Sequence, residues 1–123
     1  MAITSSFIET TGTEVVTVPS EENWAITTII ICNTFAVDPT NDQVGKASFD
    51  LHLLQDGASA GDTNRVINGL ELQAGETFTF DSEKIILSEG EKIYAIGTPQ
   101  GASPGALLGN TSLSMLVSYL EIT

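Results

Sequence analysis

The sequence contains one cysteine, one histidine, one tryptophan and four basic residues, against sixteen acidic ones. A single cysteine excludes an intramolecular disulfide and any CxxC metal site. Cys32 lies in Ile29-Ile30-Ile31-Cys32-Asn33 with no basic neighbour in sequence, so it reads as a small core residue rather than an activated thiol. A single histidine excludes the converging imidazoles of a cupin metal centre. The shortage of basic residues leaves a formal net charge of −12. A field of that sign repels phosphate backbones and anionic headgroups, so neither nucleic acid nor membrane is an expected partner. No apolar run reaches the ~18 residues of a membrane helix. The opening Met1-Ala2-Ile3-Thr4-Ser5-Ser6-Phe7 has no basic segment followed by an apolar one, so synthesis in the cytoplasm is expected, without a secretory signal.

What is present points to strands. The 123 residues are 41% apolar, enough for one globular domain spanning 1–123. Thr, Val and Ile are abundant, and no amphipathic helical stripe free of Gly, Pro or β-branched residues is found. Strands are expected near 4–9, 13–18, 24–34, 46–55, 65–72, 76–80, 84–88, 92–97 and 113–122, that is, about eight or nine of them. Turn signals separate them at Thr11-Gly12, Pro19–Asn23, Asp56-Gly57, Ala74-Gly75-Glu76 and Glu89-Gly90-Glu91. The fold class is all-β: a two-sheet antiparallel β-sandwich, with the jelly roll as one form of it.

Alternation is clean in Phe49-Asp50-Leu51-His52-Leu53 and in Thr77-Phe78-Thr79-Phe80, as in strands with one face on a core. Two strands break the rule. Ile29–Cys32 is apolar on both faces. The closing strand places Leu113, Met115, Val117 and Tyr119 on one face and Leu116, Leu120 and Ile122 on the other. A sandwich core takes only one of these faces, so the second needs a covering loop or a neighbouring subunit. The loop at 98–112 is long for a compact domain and carries Leu107 and Leu108, which must tuck under it or dock on a neighbour. The candidate interface residues are therefore Leu107, Leu108, Leu116, Leu120 and Ile122.

Candidates for chemistry are few. Ser48, Asp50 and His52 share a strand face, but residues two apart on a strand are separated by about 7 Å. A working triad needs contacts of about 2.6–3.2 Å, so this face reads as ordinary solvated surface. Asp38, Asn41 and Asp42 in one loop, or Asp56 and Asp62 in another, offer oxygen ligands for calcium without the spacing of a calcium-binding loop. Trp24 offers an aromatic face for a sugar, or a closing residue for the sandwich. No catalytic, cofactor-binding or metal-ligating residue is assigned, and no enzymatic activity is expected.

Several segments, taken in order, carry a family likeness. They are Val15–Pro19, Ala25–Thr34, Leu72–Thr77, the hairpin Lys84–Ala95 with its Ile-x-Leu-x-x-Gly-Glu-x-Ile pattern, and the closing Leu116–Ile122. In this order they resemble small β-sandwich virion structural proteins of tailed bacteriophages, including cyanophages. Glu91 stands where Asp is more usual in that pattern. The resemblance implies a structural part of the virion, made in the host cytoplasm. The leading expectation is a capsid decoration (cement) protein stabilising the particle through oligomeric contacts. The alternatives are a tail, neck or fibre accessory, or a carbohydrate-binding host-recognition module. The implied partners are further copies of the chain, with a homotrimer favoured, and the major capsid or tail protein. No cofactor and no catalytic residue are implied.

Overall fold

Side-chain alternation decides which strand faces meet. The computed structural model describes residues 2–37, 39–40, 45–99 and 110–122. Its strands are β1 (Ala2–Glu9), β2 (Thr13–Thr17), β3 (Asn23–Asn33), β4 (Ala47–Leu54), β5 (Arg65–Leu72), β6 (Thr77–Ser88), β7 (Lys92–Pro99) and β8 (Asn110–Glu121). They form two four-stranded antiparallel sheets, ordered β1-β8-β3-β6 and β2-β7-β4-β5. Thus β1 pairs with β8, β2 with β7, β3 with β6 and β4 with β5. This is a long antiparallel ribbon turned back on itself at β4–β5. It is rolled so that β3 also meets β8 and β4 also meets β7. A ribbon rolled in this way is the jelly-roll form of the sandwich.

The core lies between the sheets. Ile29 and Ile31 of β3 and Leu113, Met115 and Val117 of β8 face Phe49 and Leu51 of β4 and Ile93 and Ala95 of β7, all fully or almost fully buried. Each such large aliphatic or aromatic side chain stabilises the fold by about 1.5–3 kcal/mol relative to exposure.

Two expectations change. The segments 76–80 and 84–88 are one strand, β6, where the sequence suggests two. Between Ile26 and Thr28, β3 advances two residues (28 − 26) while β6 runs four (85 − 81) from Ile85 to Asp81. The polar stretch Asp81-Ser82-Glu83-Lys84 therefore supplies a bulge and not a turn, because the ladder resumes on the same partner. Cys32 is the second change. It is only half-buried, since alternation sends Ile29, Ile31 and Asn33 inward and leaves Ile30 and Cys32 on the outward face.

The expected turns carry the required backbone. Gly12 has φ 104°, and the Tyr94 ring lies where a side chain at position 12 would project. At the end of β3, Asn33 is fully buried and knots three segments. Its Nδ2 donates to the carbonyls of Gly45 (2.8 Å) and Leu72 (3.0 Å), and its Oδ1 accepts the Phe35 N–H (3.1 Å).

Candidate functional site

The outward face of the β1-β8-β3-β6 sheet follows directly from its register. One row runs Ser5–Leu116–Ile30–Thr79, and another runs Phe7–Ser114–Cys32–Thr77. A third runs Ile3–Ser118–Thr28 and reaches Asp81 at the far edge, and a fourth runs Leu120–Ala25–Ile86. In these rows no described side chain carries a charge. Several are large, apolar and exposed: Ile3 (64%), Phe7 (51%), Ile86 (59%) and Leu120 (45%), with Ile122 (46%) just beyond β8. Thr27 and Ser118 join their hydroxyls across this face, satisfying each other without recruiting a charge.

The opposite sheet is different in kind. Its outward face holds the pairs Lys92–Glu14 and Lys46–Glu71, both at 2.9 Å, and Arg65 with Asp62 (2.9 Å) and Asp50 (3.6 Å). The Lys92 ammonium, hydrogen-bonded to Glu14, holds that carboxyl below the usual carboxylate range. Among the described side chains, the molecule therefore has one ionic face and one largely apolar face, with Glu9 and Asp81 at the margins of the apolar one. Large exposed apolar patches on soluble proteins mark interaction sites.

Of the five candidate interface residues, the register brings Leu116 and Leu120 onto the apolar face, and Ile122 follows them on the same side. Leu116 is half-buried between Ser5 and Ile30, whereas Leu120 and Ile122 are exposed. Leu107 and Leu108 lie outside the described residues. Reading only the closing strand missed Ile3, Phe7 and Ile86. Ile3 and Phe7 share a parity with Ser5 in sequence, a signal that was present but too short to interpret without the pairing partner.

The face carrying Ser48, Asp50 and His52 is not ordinary solvated surface. Ser48 and His52 are buried, and Asn64 from the 55–64 loop lies against His52, with its Oδ1 2.7 Å from Nδ1. Asp50 does not orient His52 as a triad acid would, since His52 Nδ1 is held by Asn64. Asp50 Oδ1 accepts the Gly69 N–H at 2.6 Å, at a bulge in β5, and its other oxygen faces Arg65. Trp24 stacks on Tyr119 with ring centroids 3.7 Å apart and planes within 8°, and its Nε1 donates to Glu22 at 2.9 Å. One ring face of Trp24 is thereby occupied.

Among the described residues, no group of three His, Cys, Asp or Glu side chains stands close enough to share a metal ion. Asp38, Asn41 and Asp42 lie outside the described residues. Asp62 is engaged by Arg65. A cleft of about 480 Å³ is lined by Leu53, Gln55, Ala58, Thr63, Asn64 and Val66, with no titratable side chain among them. No known protein family, curated protein or solved structure matches the chain.

Proposed function

We propose that this chain is a non-enzymatic structural component of a bacteriophage virion, a capsid decoration (cement) protein. In this reading it seats its apolar sheet face on the particle and meets further copies of itself there. The observation that carries the reading is the contrast between the two outward faces on a chain of net charge −12. The charges of the β2-β7-β4-β5 face keep the free protein soluble. The Ile3, Phe7, Ile30, Leu116 and Leu120 face offers apolar area that a partner would remove from water. Jelly rolls also serve as lectins and cupins, so the fold alone decides nothing between these roles. The occupied ring face of Trp24 argues against a sugar platform built on that residue.

The test is to band phage particles by density from lysates that contain the chain and to analyse them by mass spectrometry. The chain is expected in the particle band in fixed ratio to the major capsid or tail protein. Its recovery only in the soluble fraction would overturn the proposal.

A further inference from the structure

Four strands form the edges of the two sheets: β1 and β6 in one, β2 and β5 in the other. Native edges are guarded against pairing by charge, proline, bulges or shortness. Three of these four have such guards. β2 is only five residues long, contains Glu14 and is soon followed by Pro19. β5 carries Arg65 and Glu71 and bulges at Gly69, opposite Asp50. β6 runs Asp81-Ser82-Glu83-Lys84 through its bulge. β1 has none of them from Ala2 to Phe7: no charge, no proline and no register shift, and its first irregularity falls after Phe7.

The outer side of β1 is also self-complementary. There, away from β8, the Phe7 carbonyl accepts the hydroxyls of Ser6 (3.0 Å) and Thr13 (3.4 Å), which a pairing strand would displace. Backbone polarity alternates along an antiparallel strand, so Ile3 and Ser5 turn their N–H and C=O groups to the same open side. The segment Ile3-Thr4-Ser5-Ser6-Phe7 reads nearly alike in both directions about Ser5: apolar, three hydroxyls, apolar. An antiparallel partner centred on Ser5 sets Ile3 opposite Phe7 and Thr4 opposite Ser6, both favourable cross-strand pairs.

We infer that β1 pairs with β1 of a second copy about a two-fold axis through Ser5, making one continuous eight-stranded sheet. The occupant is a second copy because the contact is isologous and because it spares two strongly negative molecules any like-charge encounter. Glu9, the first charge, lies beyond the pairing and does not face its own counterpart. The symmetry is two-fold, in place of the three-fold association favoured on sequence grounds. This inference extends the proposed function, since the dimer would double the width of the apolar face offered to a particle.

The experiment is oxidative cross-linking of the full chain carrying Cys32→Ser with Ser5→Cys. A hydrogen-bonded antiparallel pair places its Cα atoms about 5.5 Å apart, within the range of about 4.4–6.8 Å for a disulfide. A covalent dimer is expected from Ser5→Cys, and none from Ser118→Cys in the same background, on the same face but away from the axis. Light scattering across a dilution series should show a dimer for the unaltered chain and a monomer for Ser5→Pro, which removes an N–H from the open edge, adds no charge to the sheet face and leaves the circular dichroism unchanged. A monomer throughout, or no Ser5→Cys cross-link, overturns the pairing. Loss of the dimer with Leu120→Lys but not with the β1 variant also overturns it, since the contact would then be the sheet face. Recovery of the β1 variant on particles would leave the functional proposal standing without the dimer. An intact dimer absent from particles would do the reverse.

Discussion

His52 Nδ1 and Asn64 Oδ1 are 2.7 Å apart, and this contact holds the 55–64 loop over the outward face of β4. The direction of the bond is fixed by the other partners of Asn64. Its Oδ1 also accepts the Gly61 N–H (3.0 Å), and its Nδ2 donates to the Ser59 carbonyl (2.9 Å). His52 must therefore donate from Nδ1. Asn64→Ala leaves this buried donor without its acceptor, which costs about 1–3 kcal/mol. Thermal melting should show a Tm lower by several degrees with the folded circular dichroism retained. An unchanged Tm would show that the loop is not held through this bond.

Asn33 should matter more. Replacing it with Ala strips partners from the Gly45 and Leu72 carbonyls and from the Phe35 N–H at once. Each buried group left unpaired costs about 1–3 kcal/mol, so the total should exceed that of Asn64→Ala. Urea unfolding of both variants compares them directly. Asn33→Asp should be no remedy, because it sets a carboxylate against two carbonyl oxygens.

The Glu14–Lys92 pair predicts a small pH effect of definite sign. The hydrogen bond and charge of Lys92 depress the folded-state pKa of Glu14. Its contribution is therefore present above the unfolded carboxyl value and is lost as pH falls through the depressed one. The pair is at the surface, so added salt should weaken it. A carboxyl titration by NMR should show the Glu14 midpoint rising toward the ordinary carboxylate range in Lys92→Ala. An unmoved midpoint would contradict the assignment.

Leu120→Lys separates folding from assembly. Leu120 points out of the sheet and is exposed, so the substitution should change stability by no more than about 0.5 kcal/mol. It places a charge at the β8 end of the Leu120–Ala25–Ile86 row. Co-sedimentation should show the variant folded but no longer bound to phage particles.

Much of this molecule was legible in its sequence, for identifiable reasons. The alternation of Phe49, Leu51 and Leu53 and the glycine turns at 12, 57, 75 and 90 are local signals, and the fold obeys them. The two doubly apolar strands proved to be the central neighbours β3 and β8, where residues such as Leu113 and Leu116 meet opposite environments. What escaped depended on partners distant in the chain. Asp81–Lys84 has the composition of a turn, and only its pairing with β3 makes it a bulge. His52 looked solvated because nothing local to β4 announces that the 55–64 loop folds back over it. Cys32 looked like core because the Ile run hides which parity faces inward. The outward positions of Ile3 and Phe7 emerge only once β1 is set beside β8.

The central claim is that the apolar sheet face is covered on the virion, and Cys32 reports on it. This sole cysteine is half-buried on that face between Ser114 and Thr77. The measurement is the rate of maleimide labelling of Cys32, in the free chain and in the chain on density-banded particles. The account predicts labelling of the free chain and strong protection on the particle, with protection lost when the chain is stripped off. Equal labelling rates in the two states would contradict it.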